Sequence, residues 1–174
     1  EISIDRTKAM RHKYSGKVDS QALVSVFGQL YRNINKNSPR SFRNPERIFK
    51  VVFKGEGSTD AGGPYNEVMS TICDELMSKF IPLFIPSQNN VHNVGDNRDA
   101  WLINPIADNT LHIDLFQFLG KLMGVAIRTQ NNLNLTLPPL FWKRLMIEEV
   151  TVSDLKGVDE CCFQMLEILR NLDE

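Results

Sequence analysis

Leu111-His112-Ile113-Asp114-Leu115-Phe116-Gln117-Phe118-Leu119-Gly120-Lys121-Leu122-Met123-Gly124-Val125-Ala126-Ile127 is the stretch whose reading decides the fold. Drawn as a helix, it is apolar on most of its circumference, which predicts a central and largely buried element with neighbours on several sides. Gly120 and Gly124, four residues apart, predict the close approach of another backbone. In a bilayer that spacing marks paired helices, but Asp114 and Lys121 interrupt the segment, and no run approaches the roughly 18 to 20 apolar residues of a membrane span. Packing is the reading.

Toward the N-terminus, Leu83-Phe84-Ile85 and Trp101-Leu102-Ile103 read as short strands of a loose hairpin across a polar loop, Ser87 to Asp99. Before them, Tyr65, Val68, Met69, Ile72, Leu76 and Phe80 recur at helical spacing behind Pro64, a residue suited to a first helical turn. Gly55 to Gly63 is a turn-rich loop, and Ile48 to Lys54 a strand with Phe49, Val51 and Phe53 on one face. Asp19-Ser20 offers an N-cap for a helix carrying Leu23, Val26, Phe27, Leu30 and Tyr31, and Asn33 to Pro45 reads as a loop. Toward the C-terminus, Pro138-Pro139 opens a helix, Ser153-Asp154 caps a short turn, and Asp159 caps a final helix with Cys162, Met165, Leu166 and Leu169 on one side. Five or six helices around a few short strands make a mostly helical α+β fold.

Composition agrees. With 174 residues, 42% of them hydrophobic and 24% charged, ten Gly and eight Pro, the chain reads as one soluble globular domain rather than collagen, low-complexity disorder or a disulfide scaffold. No signal-peptide pattern is present, which predicts a cytoplasmic location. Glu1 replaces an initiator Met and Asn171-Leu172-Asp173-Glu174 directly follows the last apolar helix, so a segment of a longer chain is expected. The net charge of −1 hides a division: residues 1–54 hold 12 Lys+Arg and 4 Asp+Glu, a net of +8, and residues 55–174 hold 8 and 17, a net of −9. Either a solvated face, an internal match between the halves, or a basic segment 6–54 holding an acidic partner or nucleic acid would account for it. No helix-turn-helix, RNP-like or zinc-finger pattern supports nucleic acid.

The residues that could carry chemistry are few. A strand, a Gly-rich loop and a helix in succession suggest a phosphate loop, but Gly62-Gly63 runs into Pro64-Tyr65 rather than Lys-Ser/Thr, and Glu56, Asp60 and Glu67 would repel an anion. His12, His92 and His112 are scattered without metal-ligand spacing. Cys73, Cys161 and Cys162 lack CxxC spacing, and bridging the adjacent pair would demand unusual geometry, so reduced thiols are expected. A nucleophile and base formed by Cys73 and His112 remains open. Asp74-Glu75 and Glu148-Glu149 are adjacent carboxylates that point apart on a helix and read as solvated faces. Neither a cofactor nor a metal is expected.

A collinear set of motifs goes further. Phe49-x-Val51-x-Phe53-x-Gly55-Glu56-Gly57 and Asp60-x-Gly62-Gly63-Pro64-x-x-Glu67 are followed by Leu83-Phe84 with Pro86, then by Leu102-Ile103-Asn104-Pro105. Next come Phe116-x-Phe118-Leu119-Gly120-x-Leu122-x-Gly124-x-Ala126-Ile127, Leu133-Asn134-Leu135, Phe141-Trp142-Lys143-Arg144-Leu145, and Thr151-Val152-Ser153-Asp154-Leu155 with Val158-Asp159. Arg6 and Ser25-Val26-Phe27 stand where such a domain begins. Over nearly its whole length the chain resembles the HECT-type E3 ubiquitin ligases, most closely the giant HERC-type members. Asn66 departs from the pattern, standing where many members carry Arg before the Glu, so a buried ion pair common elsewhere is not expected.

That resemblance implies the large subdomain of the HECT N-lobe, with a few short antiparallel strands, over residues 1–174. HECT ligases accept ubiquitin from a conjugating enzyme as a cysteine thioester and pass it to substrate lysines. The implied partners are therefore the conjugating enzyme, ubiquitin and protein substrates, reached through the full domain. The family's acceptor cysteine usually stands after Thr and before an aromatic residue. Cys73 follows Ile72, and Cys161-Cys162 lie within Glu-Cys-Cys-Phe, so no catalytic residue is carried onto this sequence and the chain is expected to be inactive alone. Nor is a noncovalent ubiquitin site assigned near Trp101 to Pro105, because Asp99 and Ala100 stand beside it. Exposed apolar surface is expected around helix 159–170, where later N-lobe segments would lie.

Overall fold

A computed structural model describes residues 1–44, 47–56 and 62–172. Along the chain its elements are β1 (Ile2–Ile4), α1 (Arg6–Tyr14), α2 (Val26–Ile34), β2 (Val51–Phe53), α3 (Gly63–Leu76), β3 (Phe84–Pro86), α4 (Gln88–His92), β4 (Trp101–Ile103), α5 (Thr110–Thr129), α6 (Pro139–Leu145), α7 (Val152–Lys156) and α8 (Glu160–Leu172), with a 3-10 turn at Ser41–Arg43. This is a mostly helical α+β chain, with eight helices among the described residues where five or six were expected. The additional ones are α1, which buries only Ala9 and so has no apolar period, and the single-turn α4. The chain forms two compact units, residues 1–83 with 104–135 and residues 84–103 with 136–174.

In the first unit β1 lies parallel to β2, pairing Ile2 with Val51 and Ile4 with Phe53. The expectation of antiparallel strands fails here because a three-residue Ile-Ser-Ile strand is too short to signal itself, and it, not a hairpin neighbour, takes the edge of β2. The strand expected over 48–54 contracts to 51–53. The core gathers on Phe118 of α5, whose ring meets Phe27 at 5.6 Å, Tyr31 edge-on at 5.5 Å and Phe42 edge-on at 6.5 Å. Such pairs contribute about 0.5–1.5 kcal/mol each beyond the area they bury.

Helix α5 buries one stripe, Leu115, Phe118, Leu119, Leu122, Val125 and Ala126, at the i, i+3, i+4, i+7 spacing, while Ile113 and Ile127 are exposed. Burial is therefore confined to one face, not most of the circumference. By length and composition α5 is long and apolar enough to cross a membrane, yet its most apolar face forms the core of this unit. The expected glycine contact is absent: a Cβ on Gly120 would meet nothing within 4 Å, and on Gly124 only the Arg128 guanidinium at 3.6 Å. The close backbone approach occurs at Gly28 in α2, where a Cβ would stand 1.9 Å from the Ala22 carbonyl oxygen. Ala22 itself holds a left-handed φ of 48°. Helix α3 stops at Leu76, short of Phe80; the Ser78 hydroxyl donates to the Glu75 carbonyl at 2.7 Å and accepts from Phe80 N–H at 3.2 Å, closing a turn that still buries Phe80.

In the second unit β3 and β4 form the expected antiparallel hairpin, with Phe84 opposite Ile103 and Pro86 opposite Trp101. Trp101 N–H donates to the Thr136 carbonyl at 2.8 Å. The connecting loop contains α4, capped by the Ser87 hydroxyl. Its buried Asn89 holds the unit together: Nδ2 donates to the carbonyls of Asp96 and Lys156, both at 2.9 Å, and Oδ1 accepts Glu160 N–H at 2.7 Å. Helix α7 starts with a capping box in which Thr151 and Asp154 satisfy each other's backbone N–H groups. Thr151, not Ser153-Asp154, is thus the cap residue. Helix α8 has no buried residue: the stripe of Cys162, Met165, Leu166 and Leu169 is exposed, as the sequence led us to expect, and Ile168 and Leu172 are exposed beside it.

Candidate functional site

The polar geometry of the first unit centres on the start of α2. Asp19 does not cap a helix at Leu23; its buried carboxylate accepts the N–H groups of Leu23 (2.8 Å), Val24 (2.9 Å) and Ser25 (2.7 Å), and the helix begins at Val26 behind a Ser25 cap. Burial works against ionisation of Asp19, but those three donors, Ser25 foremost, hold its carboxyl below the ordinary value. The next two N–H groups, of Val26 and Phe27, donate to the two oxygens of Glu75, each at 2.9 Å. Glu75 is 2% exposed. The reading of Asp74-Glu75 as a solvated pair therefore holds for Asp74 and fails for Glu75. A signal was available: Glu75 stands three residues after Ile72, on the apolar stripe of α3. Its burial pushes the carboxyl up to about 7, against the two N–H donors that favour the anion.

At the strand–loop–helix unit, Gly62 precedes α3 with φ 117°, and a Cβ there would stand 2.4 Å from the Arg47 guanidinium. Arg6 reaches over the Phe53 ring, 4.2 Å from its centroid, and binds Glu56 (Nε to Oε1, 2.8 Å) as well as Glu67. The Glu56 bond raises the Arg6 pKa above its ordinary value. Two carboxylates converging on one cation make an internal ion-pair network, and both would repel an anion, as the excess of acid in this loop implied. Asn66 is exposed, and Glu67 finds its cation in Arg6 instead. Asp60 of the same loop lies outside the described residues.

No sequence candidate for nucleophilic chemistry meets a partner. Cys73 is 2% exposed, and burial pushes its thiol up to about 11, despite an N–H from Asn134. The Nε2 of His112 lies 3.4 Å from the Ser20 carbonyl oxygen and its buried Nδ1 has no hydrogen-bond partner among the described residues, so the pairing of Cys73 with His112 is not formed. His12 packs against the Phe80 ring at 5.8 Å, and His92 is exposed at the end of α4. Cys161 and Cys162 are free thiols exposed on the first turn of α8, where Cys162 N–H donates to the Asp159 cap at 2.9 Å. Among the described residues no three His, Cys, Asp or Glu side chains group as metal ligands would. In the second unit Lys143 binds Asp154 at 2.7 Å, and that bond foremost holds the Asp154 carboxyl down to about 2.

Comparison with known proteins adds what the geometry leaves open. The family described as HECT-domain (ubiquitin-transferase) matches residues 70–174. The E3 ubiquitin-protein ligase HERC2 of Mus musculus is 38% identical over 160 residues, and that of Homo sapiens 37% identical over 160 residues. Each alignment covers 91% of this chain and 3% of the relative's length. The matched stretch contains α5, the hairpin and the helices that follow it, the elements carrying most of the motifs quoted above. The chain belongs to the HECT-domain (ubiquitin-transferase) family and resembles its HERC-type members.

Proposed function

We propose that residues 1–174 supply the large N-lobe subdomain of a HECT E3 ubiquitin ligase and act as a scaffold, not as the acceptor of ubiquitin. In the whole protein a conjugating enzyme would deliver ubiquitin to a cysteine outside these residues, as a thioester, for transfer to lysines of a protein substrate. The observation that carries this reading is the state of the three thiols. A thioester acceptor must be reachable and activated by its surroundings; Cys73 is buried with a raised pKa, and among the described residues neither Cys161 nor Cys162 has a histidine hydrogen-bonded to its thiol. Three unbridged thiols fit a reducing compartment, and we place the protein in the cytoplasm.

The core around Phe118 and the Asn89 network give each unit an internally braced frame, which suits a platform for mobile catalytic parts. The test is the rate at which a ubiquitin-charged conjugating enzyme loses its ubiquitin. The folded chain should leave that rate unchanged. Faster discharge that disappears on replacing Cys73, Cys161 or Cys162 with Ser would overturn the proposal.

A further inference from the structure

Several of the basic residues that give segment 1–54 its charge are engaged inside the first unit. Arg6 holds Glu56 and Glu67, Lys13 reaches the Asp74 carbonyl at 3.3 Å, and Arg32 binds the carbonyls of Ala22 and Leu23. Lys8 and Arg11 are different. They stand one turn apart on the exposed face of α1, and no ion pair or side-chain hydrogen bond from either occurs among the described residues. Both line an open cleft of about 570 Å³ shared with Asp5, Thr7, His12 and Ser15. The carboxylate of Asp5 is turned to the helix, accepting Lys8 N–H at 2.8 Å, and Ser15 is turned to the His12 carbonyl at 2.7 Å. Helix α1 carries five cationic or potentially cationic residues in nine and no acid, a sequence that like-charge repulsion at i, i+3 spacing disfavours on its own.

We propose that this cleft docks an acidic peptide segment of a partner protein, with carboxylates one helical turn apart set against Lys8 and Arg11. Nucleic acid fits less well. A strand of phosphates needs a longer track of free cations and aromatic faces for stacking, whereas Arg6 and Lys13, the cations flanking this pair on α1, are engaged and the nearby His12 ring lies against Phe80. The inference goes beyond the ligase reading, and its test involves no ubiquitin.

The test titrates the 174-residue chain into a fluorescein-labelled poly-glutamate peptide and follows anisotropy at several salt concentrations. Saturable binding that weakens as salt rises is expected. Reversing both charges, Lys8→Glu with Arg11→Glu, should weaken it about tenfold, because each reversal turns an attraction into a repulsion at an exposed site. Arg40→Glu, an exposed charge outside the cleft, should change it by less than about twofold. Absence of binding at low salt, equal weakening by Arg40→Glu, or tighter binding of polyuridylate than of the peptide would each overturn the proposal. Among the described residues neither Lys8 nor Arg11 makes a side-chain bond, so the reversed protein is expected to fold, and circular dichroism checks it.

Discussion

Glu75 is the residue on which burial and hydrogen bonding pull hardest against each other. Its carboxyl satisfies two N–H groups at the start of α2 that would otherwise be orphaned in the core. Glu75→Ala should therefore cost roughly 2–5 kcal/mol in urea unfolding, from two unsatisfied donors and a cavity. The pH dependence has a definite sign. A carboxyl raised to about 7 in the folded state favours folding below its ordinary value, and that contribution is lost as pH rises through about 7. Asp19, whose carboxyl is lowered, acts oppositely, but in a more acidic window, where stability falls as pH drops. Between about pH 5 and about pH 8 the chain should lose stability as pH rises, and Glu75→Gln should flatten that slope. A slope unchanged in the variant would contradict the assignment. In the second unit, Asn89→Ala removes three hydrogen bonds to backbone groups and should cost roughly 2–4 kcal/mol, a loss that Asn89→Asp would not spare because two carbonyls would then face a carboxylate.

At the level of elements, two substitutions separate packing from pattern. Gly120 has open space where its Cβ would go and sits inside a helix, so Gly120→Ala should raise stability by about 0.5–1 kcal/mol, whereas Gly28→Ala should be strongly destabilising because its Cβ meets the Ala22 carbonyl. Thermal unfolding of the two variants should move in opposite directions. Helix α8 allows a parallel comparison: Ile168→Asp should change the chain's stability by less than about 0.5 kcal/mol, while Phe118→Ala on α5 should cost about 3–5 kcal/mol. Both positions look alike in a hydrophobic pattern. Period and apolar content made α3, α5, α6 and α8 and the β3–β4 hairpin legible from the sequence. They were silent on α1, whose nine residues bury only Ala9, and on β1, whose three residues gain their place through a partner some fifty positions away. Nor does a spacing of two glycines say whether anything comes near them; only the chain path at Ala22 shows where a Cβ is forbidden.

For the molecule as a whole, function was legible mainly as an ordered series of motifs, and the physical reading of single residues stopped at a helical α+β chain. The structure explains why. Its buried and half-buried carboxylates such as Asp19, Glu75 and Glu56 are engaged in capping a helix or closing an ion pair, its histidines are dispersed, and its one buried thiol is held protonated. Membership of the ubiquitin-transferase family then rests on the match over residues 70–174, and the proposed scaffold role on the thiols. That role meets its most direct test in intact-mass spectrometry of the chain after incubation with a ubiquitin-charged conjugating enzyme under non-reducing conditions. The account predicts the unmodified mass of the chain alone; a dithiothreitol-labile gain of one ubiquitin, mapped to Cys73, Cys161 or Cys162, would contradict it.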